Sequence, residues 1–186
     1  EFYLTDVVEE GAKQDQAAAV IAADPSECSG VNNREQLAAV EAVMRQRLIR
    51  QWQHKGVSFL DPQSTMLGAD VKLAQDVTIG ASVQIWGDTK ISKGVVIHGP
   101  TFIKNSQVGA GTVLHSFSHL EQAKVGKGAQ IGPYARLRPD ASLADEVKVG
   151  NFVEVKKSQI GKGAKLNHLS YVGDATIGAG SNVGAG

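Results

Sequence analysis

From Leu67 to Val183 an aliphatic residue returns at a nearly constant step of six, beginning Leu67, Leu73, Ile79, Ile85, Ile91, Ile97 and Ile103. The series runs on through Val108, Leu114, Leu120, Val125, Ile131, Leu137, Leu143, Val149 and Val155 to Ile160, Leu166, Val172, Ile177 and Val183. Gly often follows the aliphatic residue, as in Ile131-Gly132 and Ile160-Gly161. A six-residue unit cannot bury its own apolar side chain, so successive units must stack to make a core. Recurrence at this period is the signature of a parallel β-helix. Twenty consecutive steps of six or five residues argue against a β-sandwich with chance spacing.

Four steps are five residues long: Ile103 to Val108, Leu120 to Val125, Val155 to Ile160 and Val172 to Ile177. Counted from Leu67 they are the seventh, tenth, sixteenth and nineteenth, and each number leaves remainder one on division by three. The coil therefore has three faces, and the shortened turn always falls at the same one. These short turns share a Ser or Ala two residues before the next aliphatic residue. The step from Leu137 to Leu143 belongs to the same set but keeps full length, and it carries Arg138-Pro139-Asp140.

Residues 1–60 differ in pattern. A helix is expected from near Val7, with Thr5 or Asp6 as its N-cap. Ala17–Ala23 reads as a short strand that Asp24-Pro25-Ser26 stops, and Ser29–Asn33 as a loop. A long helix is predicted over about 34–54, with Leu37, Val40, Met44, Leu48 and Trp52 along one side and Gly56 at its end. Asp61-Pro62 then opens the connection into the first coil. The expected segments are 1–33, the end of an α/β unit; 34–65, a linking helix and connection; and 66–186, the β-helix. No Gly-rich phosphate loop is present in 1–60.

Net charge is zero over 186 residues, which gives no support to a general nucleic-acid or membrane surface. The single Cys28 has no partner for an internal disulfide, which fits a reducing cytosol. No apolar run reaches membrane-spanning length, and no signal-peptide pattern opens the chain. The chain starts without Met and stops at Gly184-Ala185-Gly186 inside a repeat, so a piece of a longer protein is expected.

Stacked coils place equivalent residues about 4.8 Å apart. On the face with the short turns, the residue after the aliphatic forms a column of Lys104, Glu121, Arg138, Lys156 and Gly173. Arg138 and Lys156 become vertical neighbours, with Lys157 adjoining, and such a pair suits phosphate oxygens. The plainer reading is a solvated basic edge. On the adjoining face lies Leu166-Asn167-His168-Leu169-Ser170-Tyr171, with Asn151 one coil below His168 and Glu154 one coil below Tyr171. His168 is a candidate general base near neutral pH. A nearby carboxylate would stabilise its protonated form. Most surface histidines are inert. His98 and His115 occupy equivalent positions in adjacent coils, with His119 close by, and clustered imidazoles can bind zinc.

The stretches Gly132-Pro133-Tyr134-Ala135-Arg136-Leu137-Arg138-Pro139, Gly150-Asn151-Phe152-Val153-Glu154-Val155-Lys156-Lys157 and His168-Leu169-Ser170-Tyr171-Val172-Gly173-Asp174 are specific, as are Gly30-Val31-Asn32-Asn33-Arg34 and Tyr3-Leu4-Thr5-Asp6. Together, and in this order, they resemble the bacterial bifunctional N-acetylglucosamine-1-phosphate uridyltransferase and glucosamine-1-phosphate acetyltransferase family, across the whole chain. The resemblance implies a left-handed parallel β-helix, preceded by the C-terminal remnant of an α/β nucleotidyltransferase domain. It implies acetyl transfer from acetyl-CoA to glucosamine 1-phosphate, then uridyl transfer from UTP with Mg²⁺, in the cytoplasm, on the way to cell-wall precursors. By motif, His168 is then the base. Arg138, Lys156, Tyr171 and Asn182 contact the sugar phosphate, and Ala185 begins the acetyl-CoA contacts. Glu154 backs the base, and Asn32 is a ligand of Mg²⁺ and the sugar nucleotide. A homotrimer is implied, with the acetyl-transfer site between subunits; no nucleic-acid or membrane partner is implied.

The family's Gly-rich loop and its Mg²⁺-binding Asp have no counterpart in this chain, nor do most of its acetyl-CoA contacts, so the chain alone is expected to perform neither reaction. Three alternatives stand beside this reading. One is a non-acetylating sugar-phosphate nucleotidyltransferase with a β-helical domain, which would not be expected to carry the His168 and Tyr171 motif. Another is a non-catalytic scaffold, which leaves the Arg138 and Lys156 column unexplained. The third resembles the zinc-dependent β-helical carbonic anhydrases. There, three residues between His115 and His119 depart from the usual four, so no zinc is expected at His98, His115 and His119.

Overall fold

The computed structural model describes residues 3–184, apart from the side chain of Leu4. The chain divides into two compact units, Glu1–Val43 and Met44–Gly186, and the boundary lies inside the long helix rather than before it.

In the first unit, helix α1 (Leu4–Lys13) starts earlier than the expected position near Val7. Tyr3 is its N-cap, because the Asp6 carboxylate reaches back to accept from the Tyr3 N–H at 2.8 Å while the Asp6 N–H donates to the Tyr3 carbonyl. Asp6 thus acts as the acidic third residue of the helix, not as its cap. Ala17–Ala23 forms no strand. Its Val20 and Ile21 are almost fully exposed and no ladder pairs them, so β-propensity alone does not make a strand. A short 3₁₀ turn, Pro25–Cys28, follows, with the Asp24 carboxylate accepting from Ser26 N–H at 2.9 Å.

Helix α2 spans Arg34–His54, as the spacing predicts. Asn33 Oδ1 accepts from Gln36 N–H at 2.8 Å and satisfies an otherwise orphaned donor. Of the five residues assigned to its apolar side, Leu48 is buried and Trp52 packs on the core, whereas Leu37 and Met44 are exposed. Gly56 ends the helix at φ 83°. Its N–H donates to Gln53 O and the Val57 N–H to Trp52 O, both at 3.0 Å, which is a Schellman closure.

The second unit is the parallel β-helix. Its first strand, Ser58–Phe59, comes before residue 66 and pairs with Thr78–Ile79. Among the described residues, fifteen of the twenty strands are parallel two-residue ladders whose second residue is the inward apolar one. Strands Lys148–Lys156 and Lys165–Gly173 run unbroken round one corner, joining two faces into a 13-stranded sheet; the third face is a 7-stranded sheet. Ile79, Ile85 and Leu114 are fully buried, while Ile177 and Val183 are only half-buried.

A second inward column sits two residues before each aliphatic, built from small or β-branched residues such as Val71, Val77, Thr89, Ser106, Ala123 and Ser158. Its hydroxyls are dry, and burying a hydroxyl without a partner is unfavourable. Most turn back to a corner carbonyl of their own coil, whereas Thr112 donates to Gly126 O of the next coil at 2.8 Å. Thr89 donates to Trp86 O and Thr101 to His98 O at 2.7 Å, and Ser118 donates to His115 O at 2.8 Å. At the short corner the reach is two residues rather than three: Ser106 to Lys104 O and Ser158 to Lys156 O, both 2.8 Å. No buried side-chain N or O among the described residues lacks a partner.

The short corner also needs one residue in the left-handed region: Asn105 (φ 48°), Gln122 (48°), Lys157 (45°) and Asp174 (49°). That conformation aims its N–H at the coil before, as with Lys157 to Pro139 O and Asp174 to Lys156 O, both 3.1 Å.

Ile131 is fully buried, and Ile131→Ala should cost about 2–5 kcal/mol of unfolding free energy in a denaturant titration. Gly150 lies where a Cβ would fall on the Asn167 carbonyl oxygen of the next coil. Gly150→Ala should therefore destabilise at least as much as the cavity variant, although it adds only one methyl group to the chain.

Candidate functional site

The parallel register settles which residues become neighbours. Arg136 pairs with Glu154 and Leu137 with Val155, which sets Arg138 beside Lys156. One coil on, Lys156 pairs with Gly173, Glu154 with Tyr171, and Asn151 with His168. The cationic corner thus ends strand Lys148–Lys156, and His168 stands on the paired strand Lys165–Gly173, over Asn151 as the spacing predicts.

Each member is held differently. The Lys156 carbonyl accepts from the buried Ser158 hydroxyl, which fixes the backbone under the ammonium group. Neither Lys156 nor Lys157 has an ion pair among the described residues. Arg138 Nη1 lies 2.7 Å from Glu154 Oε1, and Arg136 Nη1 lies 3.5 Å from Glu154 Oε2. The structure therefore brings Glu154 to two guanidinium groups and not to the imidazole of His168, whose ring has no hydrogen-bond partner among the described residues. The Tyr171 ring folds over Gly173, where a Cβ would collide with it. Gly173 in the cationic column thus makes room for Tyr171. Asn182 accepts from Asn167 Nδ2 at 2.6 Å, one coil apart on the neighbouring face. Ala185 lies outside the described residues.

Arg136, Gly173 and Asn167 were not among the predicted site residues. Arg136 had a legible signal, since it is offset from Glu154 by one full-length coil, as Arg138 is from Lys156. Gly173 and Asn167 had none beyond their places in their columns.

Asn32 is exposed, and its N–H donates to Gln36 Oε1 at 2.7 Å. Its amide offers one neutral oxygen. Among the described residues no group of three or more His, Cys, Asp or Glu could hold a metal, so these residues do not by themselves fit a Mg²⁺ site, which needs carboxylate or phosphate oxygens.

The three histidines weighed as zinc ligands separate. His98 and His115 stack with ring centroids 5.7 Å apart, and His115 Nε2 bonds Gln130 Oε1 at 2.9 Å. His119 stacks instead on Phe102 at 4.7 Å, on the second face, next to Arg136 in register. Burial, and then the Arg136 charge, holds His119 below the ordinary imidazole value of 6.5; Glu121 pulls the other way. An exposed aromatic ladder, Phe117, Tyr134 and Phe152, stacks at 4.8 and 5.2 Å on the corner that leads to Leu169. Among the described residues, no helix is long and apolar enough to cross a membrane.

Fold and site together define a hexapeptide-repeat parallel β-helix with a cationic corner and, on the next strand of the ladder, an exposed histidine. No protein-family model matches the chain. Its whole length aligns with proteins named bifunctional protein GlmU: 41% identity in Zymomonas mobilis and 46% in both Chromobacterium violaceum and Prochlorococcus marinus. The chain is a homologue of these GlmU proteins and spans 38–41% of their length. A solved Bacillus cereus structure assigned as an acetyltransferase is 18% identical, covers 65% of this chain and 71% of its own, and has a TM-score of 0.37, too low to argue from.

Because His119 is depressed in the folded chain, the unfolded chain binds more protons just below the ordinary value of 6.5. Stability should therefore fall as pH drops through that value and level off below the folded pKa. His119→Phe keeps the stack on Phe102 and removes the titration. Urea midpoints between about pH 7.5 and about pH 5 should show a smaller acid-side loss in the variant than in the wild type.

Proposed function

We propose that the protein acts in UDP-N-acetylglucosamine synthesis, acetylating glucosamine 1-phosphate on the β-helix. The observation that carries this is the register of Leu137 on Val155, which sets Arg138 beside Lys156, with His168 and Tyr171 on the strand paired to that of Lys156. Arg138 and Lys156 take the sugar phosphate through charge-assisted hydrogen bonds. Ser158 keeps the Lys156 backbone in place, and Tyr171 packs beside the sugar with Asn182 nearby. The neutral amine attacks the thioester carbonyl of acetyl-CoA. A C–N bond forms, the C–S bond breaks, the amine proton goes to His168, and the coenzyme A thiolate leaves and is protonated.

The whole protein at the length of its relatives would also transfer UMP from UTP to the N-acetylated product, releasing diphosphate. Asn32 would contribute one oxygen to that site, and the carboxylates that bind Mg²⁺ would come from residues not in this chain. A homotrimer that completes the acetyl-transfer site between subunits, with Ala185 starting the acetyl-CoA contacts, belongs to the same proposal. The anhydrase alternative has no observation in its favour, because His119 points to Phe102 and not to the His98–His115 pair.

At the full length of the relatives, His168→Ala should slow acetyl transfer by about 10²–10⁴-fold, the usual contribution of a positioned base, and leave uridyl transfer near normal. Both activities are measured on one preparation. Full acetyltransferase activity in the variant would remove His168 from the mechanism. Arg138→Ala should raise KM for glucosamine 1-phosphate more than it lowers kcat.

A further inference from the structure

One carboxylate is shared by two guanidinium groups. Glu154 Oε1 faces Arg138 at 2.7 Å and Oε2 faces Arg136 at 3.5 Å. This creates a conflict for any anion bound at the corner. The guanidinium that would receive a phosphate is already engaged, and the engaging carboxylate repels the phosphate at close range. Lys156 has no such competitor. The ladder register resolves which arginine does what: Arg136 is the direct cross-strand partner of Glu154, whereas Arg138 falls beside Lys156. Arg136 is also the more exposed of the two, at 55% against 35%, so it can follow a moving carboxylate. Its other neighbour in the column, His119, is held toward the neutral form and does not compete for Glu154.

We infer that Arg136 is a positioning residue that receives the Glu154 carboxylate when the sugar phosphate takes Arg138. Glu154 keeps Arg138 aligned and offsets part of the charge of the two arginines and Lys156. On binding, the carboxylate releases Arg138 and closes on Arg136, so its charge stays compensated beside the incoming phosphate. Arg136 then contributes to affinity only through Glu154. A third cation aimed at the phosphate would contribute with or without Glu154.

This inference rests on the reading that Arg138 and Lys156 hold the sugar phosphate, and a double-mutant cycle separates the two. Glucosamine 1-phosphate is titrated calorimetrically into the full-length protein and its variants. Arg136→Gln should weaken binding by about threefold to tenfold, the size of coupling within one ion-pair network. Arg136→Lys should recover most of that loss. In the Glu154→Gln background, Arg136→Gln should have no further effect. The ¹³C-detected titration of the Glu154 carboxyl should move up in Arg136→Gln by more with ligand bound than without it, a difference that a static ion pair would not produce. If Arg138→Ala binds as tightly as wild type, the phosphate reading fails and takes the hand-over with it. If Arg138→Ala binds weakly but the Arg136 effect persists in Glu154→Gln, the hand-over alone is overturned.

Discussion

Backbone hydrogen bonds that run from coil to coil control everything else in the β-helix. Arg138 N–H to Val155 O and Gly132 N–H to Val149 O, both 2.8 Å, are typical. They lock the vertical spacing near the usual interstrand value. Leu120 pairs with Leu137 and Leu137 with Val155, so a coil closes after seventeen residues where the corner is short and eighteen where it is full. Once the register is set, the outward columns have no freedom left. Arg138 must stand beside Lys156, and Glu154 beside Arg136. The chemistry of the corner is therefore a consequence of how the core stacks.

The interior reinforces that register from a second direction. The hydroxyl column could have been all Val and Ala, as it is at Val71, Val77 and Ala129. Where Thr or Ser appears, its hydroxyl bonds a corner carbonyl, of its own coil at Thr89 and Ser118 and of the next coil at Thr112. Below the cationic corner this device is Ser158, which bonds Lys156 O and also lies 3.3 Å from Val172 O. A buried hydroxyl thus stiffens the backbone of a residue proposed to bind ligand, without touching the ligand.

The aliphatic column was legible because one constraint, burial every six residues, produced it with no competing demand. Helix α2 was legible for the same reason at its buried C-terminal half and less so toward Leu37 and Met44, which find no core. The Ala17–Ala23 segment failed because strand propensity needs a ladder partner, and propensity is local while pairing is not. The start of α1 was missed because Asp6 works as well inside a capping box as at a cap. At the site, register was readable from spacing, so Asn151 under His168 and Glu154 under Tyr171 stand where expected. What spacing does not encode is side-chain direction. Glu154 is near enough in sequence logic to serve His168, yet its two carboxylate oxygens face Arg138 and Arg136 instead. Tyr171 folding over Gly173 is equally absent from the spacing.

One corner of this helix exists in two lengths. Four turns use five residues there, and those from Leu67, Ile85 and Leu137 use six, yet Leu137 and Leu143 remain buried like their counterparts. Asp140 still adopts a left-handed conformation, at φ 64°, and its N–H still reaches Gln122 O. That corner is an expansion joint: chain can be added at it without re-indexing the core on either side. It is also the corner that carries Arg138 and Lys156. Evolution or an engineer can therefore lengthen the segment at Pro139 to reshape what approaches those cations, while the load of folding stays with coils that never register the change.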